Sequence, residues 1–325
     1  MLREFPIGRD DAGQRAERFL RRALGQVGPG RLQSLFRREE IKIGKRPVER
    51  GTLLQAGEVL RVFGLRPEEA AASAGPREAD RFASVTAGPP PILHEDAGLL
   101  VVDKPAGMAA HPGTGILPGD SLIERARAYL ANKGWRGEGE LFAPSLVHRL
   151  DKETSGVLLV AKTGPCLRAL TAAMREGRVR KRYAALVSGV PAEGEGTIDV
   201  PLAREDTAAG AKTRAAPEGK KALTRFRVVK NAGSYSLLQV IIETGRMHQI
   251  RAHLAHVGHP VAGDTRYHRP SEARRQRREL GLDRIFLHAE EISWEEEGRR
   301  RRFRAPLPPE LRSALGRLGM PAEAA

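Results

Sequence analysis

The sequence contains one cysteine, Cys166, among 325 residues. A single cysteine excludes both an intrachain disulfide framework and a zinc cluster built from cysteines. Aromatic residues make up only 5% of the chain, so stacking rings can form at most a small part of any binding surface. No apolar run approaches the length of a membrane helix, and the N-terminal residues lack the apolar core of a signal peptide. We therefore expect a cytoplasmic protein that does not bind membranes.

Basic residues outnumber acidic ones by 55 to 40, which gives a formal net charge of +15 and a pI near 10.5. A field of this sign concentrates polyanions around the protein, and nucleic acid is the commonest polyanion in a cell. Because aromatic residues are few, we expect Arg and Lys side chains to make most of the contacts with a nucleic acid.

The N-terminal region has the pattern of two helices followed by a basic hairpin. Apolar residues spaced i, i+3, i+4 predict a helix over residues 16–24, and a second helix is predicted after the Gly28-Pro29-Gly30 break. Residues 41–63 predict short strands joined by a basic turn. Residues 14–63 resemble the small RNA-binding domain first described in a ribosomal small-subunit protein, except that Glu17 stands where that pattern usually has Asp. Five cations converge on one helix end and the hairpin, and we predict that they contact phosphates rather than only form a solvated face: Arg37, Arg38, Lys42, Lys45 and Arg46.

Three regions follow from composition and pattern. Residues 1–65 form the small α+β RNA-binding domain, residues 66–91 are rich in Ala, Pro, Gly and Glu and predict a linker, and residues 92–325 form the large domain. Strands without regular strand-helix alternation dominate residues 179–304, which predicts an α+β fold with a mixed, largely antiparallel sheet and flanking helices. We interpret residues 204–221 as a mobile loop and the SEARRQRREL segment as an exposed basic helix.

The segment HRLDKETSG displays one carboxylate, Asp151, on a short loop that leads into the apolar strand VLLVAK. Taken alone, Asp151 could be a surface carboxylate paired with Arg149 or Lys152. Further along, residues 247–255 place Met247, Ile250, Arg251, Leu254 and Ala255 on one helical face. An arginine on such a face needs an anionic partner, because burying an unpaired charge is costly. Asp151 is the candidate.

Three segments in the same order resemble the RluA family of RNA pseudouridine synthases: HRLDKETSG, KRYAALV and ETGRMHQIRAHLAHVGHPVAGDTRY. The resemblance is strongest to the branch that modifies bacterial large-subunit ribosomal RNA. It implies the pseudouridine synthase fold and the isomerisation of uridine to pseudouridine in RNA, with no metal and no cofactor. We also expect a monomer.

The resemblance also implies roles for individual residues. Asp151 is the catalytic carboxylate, Tyr183 is the ring that lies against the target uracil, and Arg251 is the cation paired with Asp151. Arg149 and Ile250 are assigned to substrate binding, with Arg149 entering the RNA helix in place of the displaced base. Met247 stands where the family usually has Thr, so a contact through a hydroxyl group is not expected at that site.

The chemistry of the reaction agrees with this assignment. Isomerisation exchanges the bond from ribose C1′ to N1 for one to C5, with no redox change, so it needs an ionised carboxylate and stabilisation of the detached uracil. The uracil must also leave its stack, at a cost of a few kcal/mol. A contacting guanidinium favours the ionised form of a shielded carboxylate.

Three other interpretations remain open. The first is an RNA N-glycosylase or another glycoside hydrolase that uses Asp151, although such enzymes usually need a second carboxylate or a group that activates water. The second is a ribosome-assembly factor that binds RNA and has a vestigial active site. The third is a zinc site, because His248, His253, His256 and His259 cluster, but the sequence has no His-Glu-x-x-His pattern and we predict no metal.

Overall fold

The computed structural model describes residues 1–71, 88–113, 115–135, 142–207 and 210–320. The first unit has a four-stranded sheet of order β1-β4-β2-β3 and two helices packed on it. Its elements are β1 (Arg3–Pro6), α1 (Ala16–Ala23), α2 (Pro29–Arg37), β2 (Ile41–Ile43), β3 (Arg46–Pro47) and β4 (Val59–Val62).

The two predicted N-terminal helices are confirmed. In α1 the residues at i, i+3, i+4 spacing are the buried ones, and Phe19 packs edge-on against Phe5 of β1 with ring centroids 5.8 Å apart. Buried side chains from residues 5–65 form one cluster of their own. Glu17 accepts hydrogen bonds from both Arg21 and Arg50, so the longer acidic side chain ties α1 to the segment that precedes β4.

The predicted linker begins with a helix rather than with irregular chain. Helix α3 (Pro67–Ala71) follows β4, and Glu69 in it forms an ion pair with Arg31 of α2 at 3.3 Å. Glu69 also accepts a hydrogen bond from the backbone N–H of Arg66, which stabilises the helix start. Residues 72–87 of the predicted linker lie outside the described residues.

The large unit is built on a ten-stranded sheet, and the predicted mixed, largely antiparallel α+β fold is confirmed. Eight strands run in the order β10-β13-β14-β9-β15-β8-β6-β5, with β16 beside β15 and β7 beside β8. Every pairing in it is antiparallel except that of β15 with β8. The strands are β5 (Ile92–Glu95), β6 (Leu99–Lys104), β7 (Ser145–Leu146), β8 (Ser155–Ala161), β9 (Arg180–Ser188), β10 (Glu195–Asp199), β13 (Leu223–Ala232), β14 (Tyr235–Ile242), β15 (Leu287–Glu296) and β16 (Arg299–Arg304).

Among the described residues, five helices flank this sheet: α4 (Leu122–Asn132), α5 (Gly164–Arg175), α6 (Gln249–His256), α7 (Pro270–Leu280) and α8 (Pro309–Arg317). Helix α4 begins with a capping box in which Ser121 and Glu124 exchange hydrogen bonds. The N-terminus of α5 is where the small unit contacts the large one. There the N–H of Gly164 donates to Asp10 Oδ1 at 2.8 Å. A Cβ atom at Gly164 would lie 2.0 Å from the Asp10 carbonyl oxygen, so only glycine fits at this contact.

Three predictions about the large unit were wrong in part. Residues 204–221, interpreted as a mobile loop, contribute to an antiparallel hairpin of β11 (Leu202–Thr207) and β12 (Gly210–Ala215), because the two segments pair over six residue positions. Helix α7 is basic as predicted, but Ala273, Gln276 and Leu280 are buried against the sheet side. Met247 precedes α6 rather than sharing its face.

Within the described ranges, none of the helices combines the length and the apolar character that crossing a bilayer requires.

Candidate active site

Asp151 lies on the loop that enters β8, at the only parallel contact among the described strands of the large sheet. Two features fix this loop. Gly156 has φ +116°, and a Cβ atom there would lie 2.1 Å from the Ala289 carbonyl oxygen of β15, so the close approach of the two strands requires glycine at this position. The fully buried ammonium group of Lys104 donates to three carbonyl oxygens, one of them that of Lys152, beside Asp151.

Arg251 projects from α6 toward this loop and forms ion pairs with Asp151 and Asp264. Its Nη1 lies 3.3 Å from Asp151 Oδ2. Its other face makes a two-pronged contact with Asp264, from Nε at 2.7 Å and from Nη2 at 3.0 Å. Burial alone would lower the pKa of Arg251, but the hydrogen bonds and charge of Asp264, with the charge of Asp151, raise it. Arg251 is 3% exposed and remains a cation.

Asp151 and Arg251 face a small pocket that three other predicted residues also line. Tyr183 of β9 lies on its wall and is otherwise packed in the main core; burial, and then the charge of Asp151, raise the pKa of its phenol. Ile250, buried at the start of α6, forms an apolar part of the wall. Arg149 is exposed at the rim. The structure therefore gathers all five residues predicted for the large-domain site around one pocket.

The pocket opens into a groove of about 910 Å³, a volume that can hold one or more nucleotides. Cations outnumber carboxylates along it. The cations are Arg149, Arg175, Lys181, Arg204, Lys220 and Arg246, and the carboxylates are Asp151, Glu218 and Glu243. Burial lowers the pKa of Lys181 to about 8 and that of His148 to about 3, so the first is mostly charged near pH 7 and the second is neutral. The groove has the charge expected of a surface for a phosphate backbone.

The five predicted phosphate-binding cations lie at the end of α2 and in the hairpin of β2 and β3. Arg37 and Arg38 end α2, Lys45 and Arg46 are at the hairpin turn, and all four are exposed. Lys42 is half-buried, with its Nζ 5.8 Å from the Phe63 ring centroid. Within the described part of the chain, no carboxylate is in ion-pair range of any of the five.

The sequence reasoning missed the carboxylates that hold Arg251 in place. Asp264 is fully buried, and Glu153 lies 3.8 Å from Arg251 Nη2 while forming a 2.9 Å ion pair with Arg277 of α7. Asp264 stands in the GDTRY part of the third motif, which could have marked it as a residue near the site but not as the partner of Arg251. Glu153 stands two residues after Asp151, and nothing in the sequence pattern marked it as a neighbour of Arg251.

The clustered histidines have separate partners. His253 contacts Thr224 Oγ1 and the Val200 carbonyl oxygen, His259 contacts the Ser188 carbonyl oxygen, and His248 contacts Tyr267. Among the residues that the structure describes, no group of three His, Cys, Asp or Glu side chains could hold a metal ion.

Comparisons with known proteins give a family match and similar relatives. The model of the family described as RNA pseudouridylate synthase matches residues 98–256. The chain is 35% identical over 320 residues to the ribosomal large subunit pseudouridine synthase C of Pasteurella multocida, covering 98% of this chain and 94% of that protein. It is 36% identical over 320 residues to the protein of the same name from Escherichia coli K12, covering 96% and 95%. The solved structure of human RNA Pseudouridylate Synthase Domain Containing 4 superposes with a TM-score of 0.57 at 25% identity, covering 75% of this chain and 98% of that one.

Proposed function

The chain belongs to the RluA family of RNA pseudouridine synthases, and on that premise we propose that it isomerises uridines of bacterial large-subunit ribosomal RNA with Asp151 as its catalytic carboxylate. The observation that carries the proposal is the contact between Asp151 and the buried Arg251 at the base of a basic groove. The ribosomal substrate rests on the names of the two bacterial relatives, both of which align over nearly their whole length.

In the proposed reaction the bond from ribose C1′ to N1 of uracil breaks and a bond from C1′ to C5 forms. The proton on C5 is lost and N1 gains one, so atoms and charge balance without a redox step. Asp151 takes part as a nucleophile on the base or the ribose, or as a base at C2′. Arg251 places a positive charge beside the carboxylate and aims it at the pocket, because it touches Asp151 from one side while Asp264 holds its other side.

Tyr183 and Arg149 serve the displaced base in this proposal. The flipped uracil lies against the Tyr183 ring on the pocket wall. Arg149, exposed at the rim, occupies the gap left in the RNA helix, and Ile250 provides an apolar contact. Flipping costs a few kcal/mol, which these contacts and the basic groove offset.

The small unit, residues 1–65, acts in the proposal as an RNA-binding domain. Its exposed cations at the end of α2 and at the hairpin turn contact phosphates outside the catalytic groove. Residues 66–91 join it to the catalytic domain of residues 92–325. We also propose a cytoplasmic monomer. Light scattering should then give the mass of one 35.5 kDa chain.

The test is a map of pseudouridine across ribosomal and transfer RNA, by carbodiimide-stop sequencing, in cells with and without the gene. We expect specific sites of large-subunit ribosomal RNA to disappear on deletion, to return with the wild-type gene, and to stay absent with Asp151→Asn. An unchanged ribosomal map would contradict the proposed substrate. Free uracil in place of pseudouridine in the purified reaction would indicate the N-glycosylase instead.

A further inference from the structure

His248 has an unusual backbone conformation directly beside the proposed catalytic carboxylate. Its φ is +52°, in the left-handed region that few residues other than glycine adopt. It stands at the N-cap of α6 but makes no capping hydrogen bond with its side chain. Instead the imidazole turns inward to line the pocket with Asp151, Tyr183 and Arg251. Such conformations persist where the surrounding structure holds them, often at functional sites.

A chain of hydrogen bonds favours one of the two ring nitrogens of His248 as the site of its proton. The backbone N–H of Thr213 in β12 donates to the Tyr267 hydroxyl oxygen at 2.7 Å. That hydroxyl lies 3.0 Å from His248 Nδ1, and because its oxygen already accepts from Thr213, the arrangement favours donation of the phenol proton to Nδ1. The Tyr267 ring is held in turn by the guanidinium of Arg251, 5.2 Å from its centroid. With Nδ1 accepting, the proton of a neutral imidazole is on Nε2.

His248 Nε2 faces the reacting carboxylate without being bound to it. The atom lies 3.9 Å from Asp151 Oδ2, beyond hydrogen-bond distance. An unprotonated Nε2 would direct its lone pair at the negative Asp151 oxygen. This repulsion also favours a proton on Nε2. Burial lowers the pKa of His248, and although Asp151 opposes that effect, the ring is neutral near pH 7. The pocket thus contains a neutral N–H donor that makes no hydrogen bond to the part of the chain that the structure describes.

We propose that His248 is a further catalytic residue, whose Nε2–H donates a hydrogen bond to a carbonyl oxygen of the target uracil, with Tyr267 and Thr213 as positioning residues. The proposal rests on the proposed function of this site. When the C1′ to N1 bond breaks, its electron pair stays on the uracil and spreads to the carbonyl oxygens. Addition of Asp151 to the base would also place charge on a carbonyl oxygen. The donor stabilises that charge without giving up its proton, so it suits either route.

The first test replaces the side chain while keeping the backbone. Asparagine tolerates the left-handed region well but its amide cannot reach the position of Nε2. The amide of glutamine can reach it. We expect His248→Asn to slow single-turnover release of tritium from RNA labelled at uracil C5 by about 10²- to 10³-fold. His248→Gln should stay within about tenfold of wild type, and both should bind the RNA within about threefold of wild type, since the lost contact belongs to the transition state.

His256→Gln is the matched control, because His256 is exposed in the last turn of the same helix. It should react at the wild-type rate. Equal rates for His248→Asn and wild type would overturn the role of His248. Equally slow Asn and Gln variants with lowered melting temperatures would also overturn it, because the side chain would then be structural only. A wild-type protein that releases no tritium from large-subunit ribosomal RNA would instead overturn the proposed function.

The second test needs no RNA. In ¹⁵N NMR spectra of the full chain, His248 should show an unprotonated Nδ1 and a protonated Nε2, and Tyr267→Phe should convert this into a mixture of both forms. The same variant should slow tritium release by about tenfold while leaving RNA affinity unchanged. A proton on Nδ1 in the wild-type protein would overturn the proposal whatever the kinetics.

Discussion

Replacing Arg251 by Met removes the cation on which the arrangement around Asp151 depends. Asp264 would then be a fully buried carboxylate without its ion pair, and breaking a buried pair in this way costs about 3–5 kcal/mol of the free energy of unfolding. For Asp151, the Coulomb attraction over 3.3 Å in an effective dielectric of 20 is about 5 kcal/mol. Because the Asp151 side chain is 24% exposed, we take about half of this attraction as the free energy lost from the transition state. That loss corresponds to a rate reduction of roughly 30- to 150-fold.

The double variant Arg251→Met, Asp264→Asn separates these two effects. Asparagine at 264 carries no charge, and its oxygen can still accept the backbone N–H groups of Arg266 and Tyr267 that Asp264 Oδ1 accepts. Urea unfolding should therefore show most of the lost stability regained, whereas single-turnover pseudouridine formation should remain as slow as in the single variant. A double variant that regains activity together with stability would refute the reasoning, since Arg251 would then act only through the fold.

Three further predictions follow from the same structure. Below about pH 6.5 the unfolded chain protonates His148, whereas the folded chain, in which this pKa is about 3, does not. The free energy of unfolding should therefore fall, through this group, by about 1.4 kcal/mol per pH unit down toward pH 4. Urea titrations of His148→Gln should show a shallower dependence of the free energy of unfolding on pH, and an identical dependence would contradict the burial argument. Lys45→Ala with Arg46→Ala should reduce the slope of log K for RNA against log salt by about 1.4 to 1.8, and an unaltered slope would remove these cations from the RNA interface. Gly156→Ala should destabilise the fold strongly, because its Cβ atom would lie 2.1 Å from the Ala289 carbonyl oxygen, and a wild-type melting temperature would contradict that contact.

The features that could be predicted from sequence are those set by local pattern. Helix α1 followed from its i, i+3, i+4 apolar spacing, because that spacing alone decides which face is buried. The Asp151 loop was identified because its nine residues resemble the signature loop of the RluA family, and the apolar run after them predicted the buried strand β8. An inward-facing arginine needs an anion, and this need predicted Asp151 as the partner of Arg251; Arg251 Nη1 and Asp151 Oδ2 lie 3.3 Å apart.

The features that could not be predicted depend on contacts distant in sequence. Asp264 is the closer partner of Arg251, but nothing in the local pattern of GDTRY states which way its carboxylate points. The hairpin of β11 and β12 was interpreted as a loop because its polar residues lack an apolar face; it is held by strand pairing and by the contact of Thr213 with Tyr267. Met247 fits the helical spacing, but the left-handed turn at His248 starts α6 after it.

The most direct measurement of the central claim is the single-turnover rate of Asp151→Asn on large-subunit ribosomal RNA labelled at uracil C5, with RNA affinity measured on the same preparation. Asparagine keeps the size of the side chain and removes the charge that Arg251 faces at 3.3 Å. The account predicts no detectable pseudouridine and an affinity within about threefold of wild type, since phosphate contacts dominate binding. Pseudouridine formation at the wild-type rate would contradict it.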